Sequence, residues 1–116
     1  MITIDLLISF CEDMNNVVIS QHAFKRLRER SITINDILNG IRTGEIIEDY
    51  PGDYPYPSCL VLGFSVNNTH IHIVCGVGDN KLWIISAYNP TLEKWEDDYK
   101  TRKVVSKRLA FTVKEL

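Results

Sequence analysis

The chain contains only three cysteines, Cys11, Cys59 and Cys75, and no C-x-x-C pair among them. An odd number at wide spacing supports neither a disulfide framework nor a zinc knuckle, and fits a reduced, cytoplasmic setting. No P-loop, no G-x-G-x-x-G, no G-x-S-x-G and no H-E-x-x-H occurs, so nucleotide-dependent and common hydrolase chemistries lack their usual motifs. A positive excess is missing as well: 13 Lys and Arg stand against 15 Asp and Glu, a formal charge of -2. Proteins that coat nucleic acid without regard to sequence usually carry a large positive excess. Any nucleic-acid contact must therefore come from a local patch, and two basic clusters are candidates: Lys25, Arg26, Arg28 and Arg30 early, and Lys100, Arg102, Lys103, Lys107 and Arg108 late. The opening "MITIDLLISFCEDMNN" has no basic start, carries Asp5, and holds an apolar run too short to span a bilayer. It reads as part of the fold, with no membrane association. Internal repeats and low-complexity segments are absent too.

What is present is enough for one core: 116 residues, 45% of them hydrophobic, suit a single compact domain. Ile4, Leu7, Ile8 and Cys11 follow helical spacing after the candidate cap Thr3, with a strand over 2–6 as the alternative. "NNVVIS" supplies a turn and a brief extended piece, and Ser20 is placed to cap a helix over 21–30. Thr33 is the next candidate cap, with Asp36 at the positive helix end and Ile34, Ile37, Leu38 and Ile41 as the buried stripe; Gly44 is a plausible stop. From Glu45 the pattern turns to strands: "EIIEDY", then, after the loop "PGDYPYP", apolar runs at 59–66, 70–77 and 82–88 separated by hairpin signals. A last helix over 91–102 is expected to bury Leu92, Trp95 and Tyr99. The fold class is α+β: N-terminal helices on an antiparallel sheet of about four strands, with a C-terminal helix. Residues 1–103 form the domain, and 104–116 a C-terminal tail, either an edge strand or an element that orders against a partner.

A two-residue turn at Asn67-Asn68 would pair Phe64 with Ile71 and Leu62 with Ile73. Leu60, Leu62, Phe64, Val66, Ile71, Ile73 and Cys75 then face the core, and Gly63, His70 and His72 lie on a more polar face with room beside Gly63. A three-residue loop at "GDN" adds Ser86 opposite His72 and Tyr88 opposite His70, and sends Trp83, Ile85 and Ala87 to the core.

Two constellations carry candidate chemistry. In "SQHAFKRLRERSI" His22, Arg26 and Arg30 recur at i, i+4 and i+8, beside Lys25 and Arg28. Guanidinium groups fork onto phosphate oxygens, and imidazole exchanges a proton near neutral pH; the same spacing also describes a solvated face with weak surface pairs. On the strand, His70 and His72 project to one side. No third ligand is signposted for a metal, and His72, nearer the strand's middle and beside Ser86, is the better general acid or base. The alternative is a sheet face that tolerates polar residues. Tyr88, in "SAYNP", either positions a phosphate or stacks on a base, or simply packs at a strand end.

These segments together, "SQHAFKRLRERSIT", "GEIIEDYPGDYPYPSCLVLG", "HIHIV" and "ISAYNPTLEKW", resemble a bacterial family of domains of unknown function with the signature S-x-H-A-x-x-R-x-x-E-R-x-I and a closing I-x-x-Y-x-P-x-x-x-x-W. Its members look like small toxins of the RelE and MqsR kind, often encoded beside an antitoxin-type protein. The resemblance implies a RelE-like curved antiparallel sheet carrying two N-terminal helices, and metal-independent RNA cleavage without a cofactor. Carried across, the family's helix histidine falls on His22, its arginines on Arg26 and Arg30, its strand histidine on His72 and its late tyrosine on Tyr88. Two positions depart from the pattern: Ser31 stands where members commonly have Gly, and "NNTHIH" lacks an Arg that members often place before the strand histidine.

The resulting expectation is a cytoplasmic, toxin-like endoribonuclease acting on RNA, on or off the ribosome, and bound by an antitoxin-like protein. A 2'-hydroxyl attacks the adjacent phosphate, with His72 or His22 as acid or base, Arg26 and Arg30 on the phosphate, and Tyr88 orienting the substrate. Lys25, His70 and Ser86 complete the candidate RNA-binding set. His72→Ala and Arg26→Ala are each expected to lower cleavage about tenfold or more without unfolding the chain. The alternative is a non-catalytic interaction module that binds a neighbouring-gene partner, motivated by the near-neutral charge, the acidic tyrosine and proline loop, and the tail.

Overall fold

Each helix starts where a short polar side chain meets an apolar stripe. In the computed structural model, which describes residues 1–104, Thr3 caps α1 (Ile4–Phe10) and Ser20 caps α2 (Gln21–Glu29). Thr33 opens α3 (Ile34–Arg42) with a full capping box, its hydroxyl accepting from the Asp36 amide while the Asp36 carboxylate accepts from the Thr33 amide. Asp36 also accepts from the Val66 amide at 3.1 Å, tying the helix start to the loop between two strands. Of the expected α3 stripe, Ile37 and Ile41 are buried, while Ile34 is 36% exposed.

The sheet has five strands in the order β1-β5-β4-β3-β2: β1 (Val17–Ile19), β2 (Glu45–Tyr50), β3 (Ser58–Phe64), β4 (His70–Gly78) and β5 (Lys81–Tyr88). Four of them form the expected antiparallel meander. The fifth corrects the expectation: "VVI" is a strand that pairs parallel with β5, Val17 with Leu82 through Ile19 with Ile84, so the sheet is mixed. Three residues are too few to show an alternating pattern, and a parallel partner so far along the chain leaves no local signal.

The 91–102 helix is likewise not formed. Thr91 accepts from the amides of Lys94 and Trp95 in one turn; the chain then doubles back, with Trp95 and Arg102 bridged antiparallel and the Lys103 amide donating to the Lys94 carbonyl at 2.9 Å. Asp98 ends the helical option, since its carboxylate accepts from the amides of Lys100 and Thr101 and holds a turn instead. Trp95 is buried as expected, but Leu92 is exposed.

The first hairpin differs by one residue from the expected register. Ser65 and Thr69 close a three-residue loop whose third member, Asn68, takes φ 63, so Phe64 pairs with His70 and Leu62 with His72. This flips β3: Cys59, Val61 and Gly63, not Leu60 and Leu62, join Ile71, Ile73 and Cys75 under the helices. The second hairpin is a two-residue turn at Asp79-Asn80, both with positive φ. With a bulge at Val74/Cys75, Tyr88 lies opposite His72 and Ser86 opposite Val74, and Leu82, Ile84 and Ala87 take the core positions expected for Trp83, Ile85 and Ala87.

Leu7, Leu27, Ile37, Ile41, Val61, Ile71, Ile73 and Leu82 fill the helix-side core, each fully buried aliphatic contributing about 1.5–3 kcal/mol of transfer free energy. The room expected beside Gly63 is occupied by α3: a Cβ there would lie 1.9 Å from the Gly40 carbonyl oxygen, so helix and strand backbones touch. Pinning the helices to one face leaves the other to a smaller cluster of Leu60, Val74 and Trp95, on which the polar residues converge.

Candidate functional site

His72 is 0% exposed, on the face opposite the helices. Its Nε2 lies 2.8 Å from the Tyr99 carbonyl oxygen, which can only accept, so Nε2 carries the proton. Nδ1 of the neutral ring then accepts from the Tyr88 hydroxyl at 3.2 Å. The Trp95 ring meets His72 edge-on at 4.5 Å. Burial pulls the imidazole below its ordinary value, against the pull of the Tyr99 carbonyl and of Glu48. Burial likewise pushes the Tyr88 phenol up to about 12. Both members of the pair are therefore neutral near pH 7.

Beside them lies an electrostatic clamp. Arg102 forks onto Glu48, Nε to Oε2 at 2.8 Å and Nη2 to Oε1 at 3.0 Å, and its guanidinium sits 4.6 Å from the Trp95 ring centroid. Tyr50 donates its hydroxyl to the same carboxylate. Burial disfavours the charged Glu48, but the Arg102 and Tyr50 hydrogen bonds outweigh it and hold the carboxyl below its ordinary value.

Beside them opens a pocket of about 360 Å³ whose lining includes Arg30, Tyr88, Asn89, Lys94, Trp95 and Arg102. Arg30 reaches it because β1 ends opposite Ile84. Past that point the last residue of α2's basic row donates from Nη1 to the Ala87 carbonyl at 2.8 Å and to Ser86 Oγ at 3.3 Å. Three cations, Arg30, Lys94 and Arg102, and one acid, Glu93, line the opening, and Arg102 among them is paired to Glu48.

Of the residues singled out from sequence, Arg30, Ser86, His72 and Tyr88 come together at this site. His22, Lys25 and Arg26 are exposed along α2 and do not line the pocket. His70 is half-buried beside it and stacks on Tyr99, ring centroids 4.2 Å apart. Glu48, Lys94 and Asn89 escaped the sequence reading as site residues, and Arg102 figured there only as one of the late basic cluster. Trp95 was placed only in the core, and the Trp95–Arg102 bridge has no periodicity to betray it. Among the described residues no group of three or more His, Cys, Asp or Glu could hold a metal, and no helix is long and apolar enough to cross a membrane.

The architecture is that of a small α+β domain, helices on one face of a mixed five-stranded sheet and a polar, aromatic-walled pocket at the other. The family model described as "Domain of unknown function (DUF4258)" matches residues 19–89, and the chain belongs to that family. The match begins just before α2 and ends just past Tyr88, spanning the sheet strands from β2 to β5. No curated protein and no solved structure matches the chain.

Proposed function

We propose that the pocket binds and cleaves single-stranded RNA, as a toxin-like endoribonuclease that uses no metal. The observation that carries this reading is the Tyr88 hydroxyl, at the wall of a cationic pocket, with a buried neutral imidazole behind it. A 2'-hydroxyl in the pocket passes its proton to the Tyr88 oxygen as Tyr88 passes its own to Nδ1 of His72. The 2'-oxygen bonds to phosphorus, the bond from phosphorus to the 5'-oxygen breaks, and the leaving oxygen takes a proton from water. His72 acts through Tyr88, and its transient charge is met by Glu48 and the Tyr99 carbonyl. Arg30 and Lys94 hold the phosphate oxygens, whose charge grows in the transition state. His22, Lys25 and Arg26, on the exposed part of α2, guide the RNA backbone toward Arg30. The resemblance to toxins of the RelE and MqsR kind supports this reading, as does a pocket lined by Arg30, Lys94 and Arg102 beside the Tyr88–His72 pair.

The test is cleavage of a labelled mixed-sequence RNA by the full chain, with EDTA present, beside Tyr88→Phe. Cleavage by wild type and at least a tenfold loss in the variant are expected; equal rates remove the Tyr88–His72 pair from the mechanism. A second reading, a non-catalytic module that binds an antitoxin-like partner, is favoured by a separate apolar groove of about 440 Å³ between Met1, Ile2, Leu6, Pro51, Pro57 and Val77. It predicts a stable complex with the neighbouring-gene product, and growth unaffected by expression of the chain alone.

A further inference from the structure

Three rings that the cleavage step does not use form a ladder beside the pocket. Phe64 and His70 face one another across β3 and β4 with centroids 5.0 Å apart, and Tyr99 stacks on His70 at 4.2 Å with an interplanar angle of 23°. All three are half-buried, not packed away. Tyr99 holds φ 59, a left-handed conformation that costs an aromatic residue energy. Its carbonyl goes to His72, which turns the ring outward onto His70. Among the described residues Tyr99 has no ring contact but His70, and its hydroxyl has no hydrogen bond. The ladder therefore ends on Tyr99. It is also fastened to the pocket rim: Asn89, a pocket residue, donates Nδ2–H to the His70 carbonyl at 2.8 Å.

We propose that this ladder is a base-stacking platform: Tyr99 takes a nucleobase of the single-stranded RNA whose phosphate occupies the adjoining pocket. The inference rests on the RNA reading above and adds what that reading lacks, a contact to something other than the backbone. A ring ladder whose last ring has no further ring stacked on it among the described residues is continued by any flat π system, and every base presents one, so the subsite tolerates all four bases. A half-buried aromatic step next to a pocket lined by Arg30, Lys94 and Arg102 is the pairing that single-stranded nucleic-acid binding needs, since phosphate contacts position the strand and stacking holds its bases. It also gives the strained Tyr99 backbone a purpose, because an extended residue there would not present both carbonyl and ring to the same strand.

The experiment measures binding of the full chain to a short, labelled 2'-O-methyl RNA, which cannot be cleaved, and to the same oligonucleotide made abasic at each position in turn. One abasic position is expected to weaken binding roughly tenfold. Tyr99→Gly suits the left-handed backbone and keeps the carbonyl that His72 needs, so it removes the ring alone; an unchanged Tm checks this. That variant is expected to lose the same factor on the intact oligonucleotide and nothing further on the abasic one. If intact and abasic oligonucleotides bind wild type equally, or if Tyr99→Gly weakens both alike, the platform is overturned while the phosphate pocket stands. If neither oligonucleotide binds wild type, the pocket reading falls and takes the platform with it.

Discussion

Nδ1 of His72 and the Tyr88 hydroxyl lie 3.2 Å apart on directly paired residues of β4 and β5, the imidazole sealed from solvent and the phenol at the pocket wall. The two substitutions at this pair will therefore behave differently. Tyr88→Phe removes one oxygen, leaves Nδ1 unpaired and costs about 1–3 kcal/mol, and under the proposed mechanism it lowers RNA cleavage at least about tenfold. His72→Ala empties a fully buried site and strands the Tyr99 carbonyl, at about 2–5 kcal/mol. The expectation that His72→Ala spares the fold is thus replaced by one of marked destabilisation. Urea unfolding of both variants, read beside their cleavage rates, separates the effects.

Acid should weaken the fold in two stages. His72 has its folded value below the unfolded value of 6.5, so the unfolded chain takes the proton first. Stability is complete above that value and declines as the pH drops beneath it. Glu48 and Arg102 face the ring with opposite effects, and His70 adds a smaller opposing one. Glu48 and Asp36 are held below their ordinary values of 4.5 and 3.8, so their contributions are lost further down as each carboxylate is protonated. Unfolding free energies measured between about pH 7.5 and pH 5 should slope for wild type and flatten for His72→Gln, which cannot titrate; parallel slopes would assign the first stage elsewhere.

Ser31 sits at φ 58 just past α2, where the Ile32 amide reaches back to the Leu27 carbonyl at 2.9 Å and the Ser31 amide to Arg28 at 3.1 Å. This is a Schellman cap with its C′ residue in the left-handed region, and buried Leu27 and Ile32 supply the hydrophobic contact that accompanies it. The left-handed turn that glycine makes without steric penalty is thus made here by serine, at a steric cost. Ser31→Gly should raise stability by about 0.5–1 kcal/mol. Thermal unfolding reads it directly, and a lower Tm would mean the side chain contributes more than its backbone costs.

Gly63→Ala should do the reverse. The added carbon would fall 1.9 Å from the Gly40 carbonyl oxygen, a backbone atom that moves only if α3 lifts from the sheet. A loss of about 3 kcal/mol or more is expected, whereas Gly52→Ala, in open space, should leave stability nearly unchanged. Comparing denaturant midpoints of the two variants checks the close approach.

Legibility from sequence followed locality. Thr3, Ser20 and Thr33 were readable as caps because a cap and its helix are neighbours in the chain, and the meander was readable because hairpin turns are short. The faces of β3 were not, since a single left-handed residue at Asn68 decides whether the turn holds two residues or three. Nor was the pocket. Arg30 and Tyr88 stood out by their spacing and motif, but Arg102 joins them through a bridge to Trp95 and a fork to Glu48, partners with no common period. Residues 105–116, most of the expected tail, lie outside the described residues.

The parallel pairing of β1 with β5 also sets an order of assembly. The strand at residues 17–19 has no neighbour until residues 82–84 exist, and α2 packs chiefly on that same last strand. Both must wait for it, a non-local closure that slows folding. During synthesis the basic helix emerges early but remains without its seat, and the pocket closes only once Arg102 has left the ribosome. A chain cut short between Trp95 and Arg102 carries Arg30 and Lys94 without the Trp95–Arg102 bridge and the Glu48 fork beside them, so the pocket takes its shape only when the described domain is nearly whole.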